Sequence, residues 1–126
     1  MDEIYQRKRI NKIIMSGCYN GVQWVIKTLG SHPVSYIAVS KDTPVENISW
    51  PQEITFDSND DPEEGAAASH IGLDIRNRWI GWDYAHSGDY YMMAEEMKDV
   101  EGHKYTYDEL IADVEDMTDT YIKATL

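Results

Sequence analysis

Two stretches rich in β-branched and aromatic residues stand close together: residues 22–29 (VQWVIKTL) and 34–41 (VSYIAVSK). Gly30-Ser31-His32-Pro33 separates them and has turn chemistry, so the pair predicts a β-hairpin. The competing reading of the first stretch is a helix capped by Asn20 and stopped by Gly30. Asp42-Thr43-Pro44 marks a further turn, and residues 53–57 (EITFD) predict a short strand after Pro51. Residues 70–75 (HIGLDI) and 79–84 (WIGWDY) flank Arg76-Asn77-Arg78, which predicts a second hairpin with an exposed basic turn. In the second of these strands Trp79, Gly81 and Asp83 alternate with Ile80, Trp82 and Tyr84. Bulky groups fall on both faces, so one face is expected to pack on a helix and the other to line a site.

The pattern changes period toward the C-terminus. Thr106-Tyr107-Asp108-Glu109 is a capping box, in which Thr106 bonds the N3 amide and Glu109 reaches back. Leu110, Ile111, Val114, Met117, Thr118, Tyr121 and Ile122 then fall on one helical stripe, predicting a helix over 106–124. The opposite face carries Asp113, Glu115, Asp116 and Asp119. Few bases balance them, and acids late in a helix oppose its dipole. Residues 92–99 (MMAEEMKD) read as a shorter helix before Gly102, and residues 1–15 as a basic N-terminal arm or short helix. Residues 57–65 form an acidic loop without an apolar anchor. Together these elements predict an α+β domain: a small, mostly antiparallel β-sheet packed against a C-terminal amphipathic α-helix.

Composition narrows the possibilities. The chain has 126 residues, 42% of them apolar and 27% charged. That is one core's worth, read as a single domain over 1–126 with no internal repeat. Acids outnumber Lys and Arg 23 to 11, for a formal net charge of −12. Residues 1–12 hold four bases and two acids, so the acidity belongs to the body of the chain. Such a balance argues against direct nucleic-acid binding and against docking on an anionic membrane. A single cysteine, Cys18, excludes an internal disulfide and a Cys-rich zinc site. No apolar run approaches the roughly 20 residues that span a bilayer. The N-terminus lacks a signal peptide's apolar region, and a reducing, cytoplasmic setting is expected.

Residues 79–89 (WIGWDYAHSGD) are the densest in chemistry. Asp83, His86 and Asp89 are proton- or metal-competent groups within one short stretch, and a carboxylate beside a histidine makes it a usable acid or base. Their spacing matches no metal signature. The plainer reading is an ordered loop whose carboxylates bond backbone amides. Trp79, Trp82 and Tyr90 could add an aromatic wall, and Arg76 and Arg78 are the only nearby bases for a phosphate. These eight residues are the ligand-binding candidates; His70 would join them in a two-histidine site. No residue is assigned a catalytic or metal-binding role, and no cofactor is expected. Cys18 reads as a small apolar residue.

The other lead is the acidic surface. Carboxylates in rows can occupy a basic groove on another protein. Asp60, Asp61, Glu63 and Glu64 in the loop, with Asp113, Glu115, Asp116 and Asp119 on the helix, are the partner-binding candidates. Simple solubility is the alternative reading of the same charges.

Residues 36–57 (YIAVSKDTPVENISWPQEITFD) and 79–89 together resemble two blocks of small phage- and prophage-encoded proteins. In those, an extended segment leads to a His-Gly-Gly turn and an LTF strand, and the second block reads W-x-G-F-D-x-A-H-x-G-D. Trp50-Pro51-Gln52-Glu53 stands here in place of His-Gly-Gly. The resemblance implies phage origin, action in the host bacterial cytoplasm and an accessory role. The expected function is a non-enzymatic, acidic, anti-CRISPR-like inhibitor of a host defence protein with a basic surface. The alternatives are a module that sequesters a nucleotide signal and, behind it, a metal-dependent hydrolase using Asp83, His86, Asp89 and His70. A homodimer is left open.

Overall fold

The computed structural model describes residues 3–6, 8–60, 68–69, 71–86, 88–89, 91–93 and 98–126, with side chains left out at 60, 91–93 and 98–100. Five strands form one antiparallel sheet: β1 (Lys12–Tyr19), β2 (Val22–Thr28), β3 (Pro33–Val39), β4 (Phe56–Asp57) and β5 (Arg78–Asp83), in the spatial order β1-β2-β3-β5-β4. A separate two-stranded ribbon pairs β6 (Tyr91–Met93) with β7 (Lys98–Val100). Helix α1 (Tyr107–Thr125) packs on one face of the sheet over β2 and β3. The fold is α+β, as the periodicities predict.

The β2–β3 hairpin forms around residues 29–32, so the helical reading of β2 fails. Its β-branched residues sit in the ladder, Val25 opposite Tyr36 and Trp24 opposite Ile37. Asn20 is not a cap. Asn20 (φ 49°) and Gly21 (φ 84°) are both left-handed and turn β1 directly into β2. Such a two-residue turn matches the twist of the strands it joins, and Asn-Gly is its preferred sequence. The N-terminal segment is therefore neither all arm nor helix: its second part is strand β1.

Two other expectations are corrected. Residues 71–77 form turns, not a strand paired with β5. β5 already has β3 on one side and β4 on the other, so neither of its edges is open to them. Local bonds fix the turns: the Trp79 indole donates to the Asp74 carbonyl (2.9 Å), and Arg76 forms a two-point ion pair with the Asp74 carboxylate. Within 92–99, the described residues belong to strands β6 and β7, not a helix. A short helix without a buried stripe is marginal in water, whereas pairing satisfies the same backbone groups.

β5 separates two cores. Ile80, Trp82 and Tyr84 pack with Ile26, Ile37, Leu110, Val114 and Met117 beneath α1. Trp79 packs on the opposite face with Val25, Val34, Tyr36, Ala68 and Leu73. Gly81 lies between the tryptophans because a Cβ there would come within 2.4 Å of the Tyr36 ring. Helix α1 begins as its sequence requires: Thr106 accepts from the Glu109 amide, and Glu109 accepts from the Thr106 amide.

The polar anchor of the sheet is Arg78. It donates to both oxygens of Asp57 (3.0 and 2.7 Å) and to the carbonyls of Lys41 and Thr43. Arg78 and Asp57 side chains are only 7% and 10% exposed. Burial alone would raise the Asp57 carboxyl, but the guanidinium and the Asn59 amide hold it below the ordinary value. The carboxylate thus contributes stability above the ordinary aspartate range and loses it as pH falls through that range. Arg78→Met should leave Asp57 buried and uncompensated, at a cost of about 3–5 kcal/mol in urea denaturation at neutral pH. Arg78→Met combined with Asp57→Leu should recover most of that loss and flatten the acid dependence.

Candidate functional site

The end of β5 and the loop after it bring Asp83, His86 and Asp89 together. Asp83 ends its strand opposite Val34 of β3. Its Oδ1 accepts from the Ala85 amide (3.3 Å) and lies 3.2 Å from His86 Nε2. Asp89 Oδ2 accepts from the His86 amide (3.1 Å), and the Asp89 amide donates back to the His86 carbonyl (2.9 Å). The remaining oxygen, Asp89 Oδ1, accepts from the Tyr105 hydroxyl (2.8 Å). Asp89 itself is buried. Gly88 adopts φ 91° to close the loop, and its carbonyl accepts from the His103 amide (2.9 Å). Close approach is needed at Gly102 too, where a Cβ would fall 2.3 Å from the Asp89 backbone.

His32 joins this cluster from the β2–β3 turn. Burial pushes its ring pKa down; the charges of Asp83 and Asp89 oppose that, and His86 adds to it. Its Nδ1 pairs with the Ser31 hydroxyl at 2.8 Å. The sequence shows His32 only as a turn residue. Register alone brings it to Asp83, since β3 and β5 run antiparallel from this corner. Tyr105 was also without a sequence signal; it sits just ahead of the helix cap, which aims it at the loop. Burial, followed by the Asp89 hydrogen bond, raises its hydroxyl pKa.

Behind the cluster runs a chain of hydrogen bonds to the helix. The Trp82 indole donates to the Tyr84 oxygen (2.8 Å), and the Tyr84 hydroxyl donates to Asp113 Oδ2 (2.8 Å). Burial and the Asp113 charge raise the Tyr84 pKa. Asp113 is therefore not an outer-face acid: it is half-buried and turned toward the sheet. Burial raises its carboxyl, the Tyr84 bond lowers it, and Asp116 and Glu109 raise it, for a net increase.

The other candidates are dispersed. Trp79 and Trp82 lie on opposite faces of β5 and share no wall. Arg78 is committed to Asp57, and Arg76 is exposed and paired with Asp74, whose carboxyl it holds down to about 2. Glu115, Asp116 and Asp119 remain on the outer side of α1. Asp119 accepts from the Tyr19 hydroxyl (3.3 Å) at the β1–β2 turn, and Asp116 is fully at the surface. No Lys or Arg forms an ion pair with these three acids among the described residues. Asp60 ends a 3-10 turn, 58–60. His70, Tyr90, Asp61, Glu63 and Glu64 lie outside the described residues.

Chemically, the Asp83–Asp89 loop is a clamp. Each carboxylate is occupied by amides, a histidine or a tyrosine of the same chain. Among the described residues no group of three or more His, Cys, Asp or Glu side chains is arranged to hold a metal ion. No described helix is long and apolar enough to cross a membrane.

Two substitutions test this geometry. Tyr105→Phe should strand one oxygen of a buried carboxylate and cost about 1–3 kcal/mol, read by thermal denaturation. Asp113→Asn keeps an acceptor for Tyr84 and removes the charge. Because folding raises the Asp113 pKa, the wild-type carboxyl gives up stability as pH rises through the raised value. The variant should match or exceed wild type at neutral pH, and wild type should gain on it as pH falls through the carboxylate range. Compared with known proteins, the chain matches no family model, no curated protein and no solved structure.

Proposed function

We propose that this protein is a phage accessory protein that acts without catalysis, by presenting an acidic helix face to a basic surface of a host defence protein. The finer form of the reading is anti-CRISPR-like: the carboxylates would occupy a groove that otherwise holds nucleic acid. Phage origin and a cytoplasmic site of action rest on the resemblance of residues 36–57 and 79–89 to small phage-encoded proteins.

One observation carries the binding mode. Glu115, Asp116 and Asp119 run from the middle of α1 into its C-terminal half, and no described Lys or Arg pairs with them. Like charges one turn apart, as Glu115 and Asp119 are, work against the helix by about 0.2–0.5 kcal/mol, and no described ion pair offsets them. Asp113, by contrast, is taken up by Tyr84. A face that costs the helix stability fits selection for a contact outside the molecule. The same comparison weighs against a small-ligand module, because both oxygens of Asp89 and one of Asp83 already bond groups of the same chain.

The test is a low-salt capture from bacterial lysate, run in parallel with wild type and a Glu115→Lys/Asp116→Lys variant. Both positions reach the surface, so the variant should fold. The expected result is a stoichiometric basic, nucleic-acid-handling protein, released steeply by added salt and missing from the variant's eluate. Equal capture by both proteins, or binding indifferent to salt, would overturn the reading.

A further inference from the structure

We propose that two copies of this chain associate through strand β1, antiparallel and edge to edge, about a two-fold axis at Ser16. β1 is a terminal strand of the sheet, and no strand lies on its outer side among the described residues. An edge carries a row of unpaired amides and carbonyls, and chains usually blunt such edges with charges, proline, shortness or a cover. β1 runs eight residues, KIIMSGCY, and is uncharged after Lys12. It contains no proline. Its sole irregularity is a shift of register between Ile13 and Met15. Ile13, at 43% exposed, is among the few large apolar side chains left in solvent.

Register and charge select the occupant. Met15, Gly17 and Tyr19 oppose Ile26, Trp24 and Val22, so they share the helix side of the sheet; Lys12 opposes Thr28 on that same side. Ile13, Ser16 and Cys18 fall on the other side, along a groove of about 530 Å³ with Val25 and Trp79. A two-fold axis through Ser16 sets Met15 opposite Gly17 of the second copy. With Ile13 and Ile14 counted as one bulged position, Ile13 then meets Cys18 and Lys12 meets Tyr19. Every pair lies on a matched face, which a one-residue slip would destroy. The Tyr19 hydroxyl already touches Asp119, with Glu115 close enough to act on its ionisation. Lys12, which forms no ion pair with a described residue, would thus stand beside the acidic end of the second copy's helix. A two-fold axis repeats that attraction twice. No partner of other sequence is specified by the strand in this way.

The register is testable by cross-linking. Facing residues of an antiparallel pair come within disulfide reach. Ile13→Cys should therefore give a covalent dimer with native Cys18 under mild oxidation, whereas Ile13→Cys/Cys18→Ser and wild type should not. Sedimentation velocity should show a reversible dimer for wild type. Lys12→Glu should weaken it by about fivefold or more, from the loss of two exposed pairs. Adding Asp119→Lys to Lys12→Glu should restore it. A monomer at all accessible concentrations would overturn the proposal. So would a dimer indifferent to Lys12 and Asp119, or cross-linking that persists without Cys18.

Discussion

The hydrogen-bond chain from Trp82 through Tyr84 to Asp113 ties the sheet to the helix. It lies at the contact that holds α1 over β2 and β3, inside a core otherwise formed by Ile26, Ile37, Ile80, Leu110, Val114 and Met117. Apolar packing alone would let α1 turn or slide along the sheet at little cost, since the hydrophobic effect has no direction. A buried indole and a buried phenol each need a partner, and only one rotation of the helix puts Asp113 within reach of Tyr84. That rotation is the one that points Asp116 and Asp119 to solvent. Side-chain satisfaction inside the core therefore fixes which acids the molecule displays.

Tyr84 also links the core to the 83–89 loop. Its ring packs against Tyr105 at 4.5 Å between centroids, and Tyr105 in turn holds Asp89. Glu109 of the capping box reaches His103 at 2.5 Å, fixing the approach to the helix from the same end. The cap, the loop and the sheet thus share one polar cluster. The residues that begin α1 and those that close the loop are bound to one another, which explains why acid and histidine groups concentrate there.

Much of the fold was legible in the sequence because local chemistry and tertiary packing agree. The helix has its cap and stripe in the right places, and the β2–β3 hairpin has its turn residues. The reading failed where the deciding factor was non-local. Residues 70–75 alternate well enough for a strand, but β5 had already been paired on both edges. Asn20-Gly21 is a strong hairpin signal, yet β1 ahead of it carries the small residues Ser16, Gly17 and Cys18 toward its end and reads poorly as a strand; the pairing with β2 makes it one. At the site, spacing brought Asp83, His86 and Asp89 under suspicion, and the loop does gather them. His32 and Tyr105 reach the cluster by strand register and helix entry, which spacing along the chain does not encode. Asp113 was assigned to the outer face because the polar face of a helical wheel has no sharp border; a tyrosine on the facing strand draws it inward.

The acids of α1 therefore divide into two kinds with opposite physical consequences. Glu109 and Asp113 have donors within the molecule, at His103, Thr106 and Tyr84, and belong to its internal hydrogen-bond network. Asp116 has none among the described residues, and Asp119 has only a long contact to Tyr19. A carboxylate without a partner adds nothing to folding and repels its acidic neighbours. Basic residues are gathered at the other end of the chain, and Lys12 lies on the same side of the sheet as Asp119 at the opposite end of β1. Within one copy the strand's own length keeps them apart. An antiparallel second strand would remove that separation, so in the proposed pairing Lys12 of each copy comes to the Asp119 that its own strand keeps out of reach.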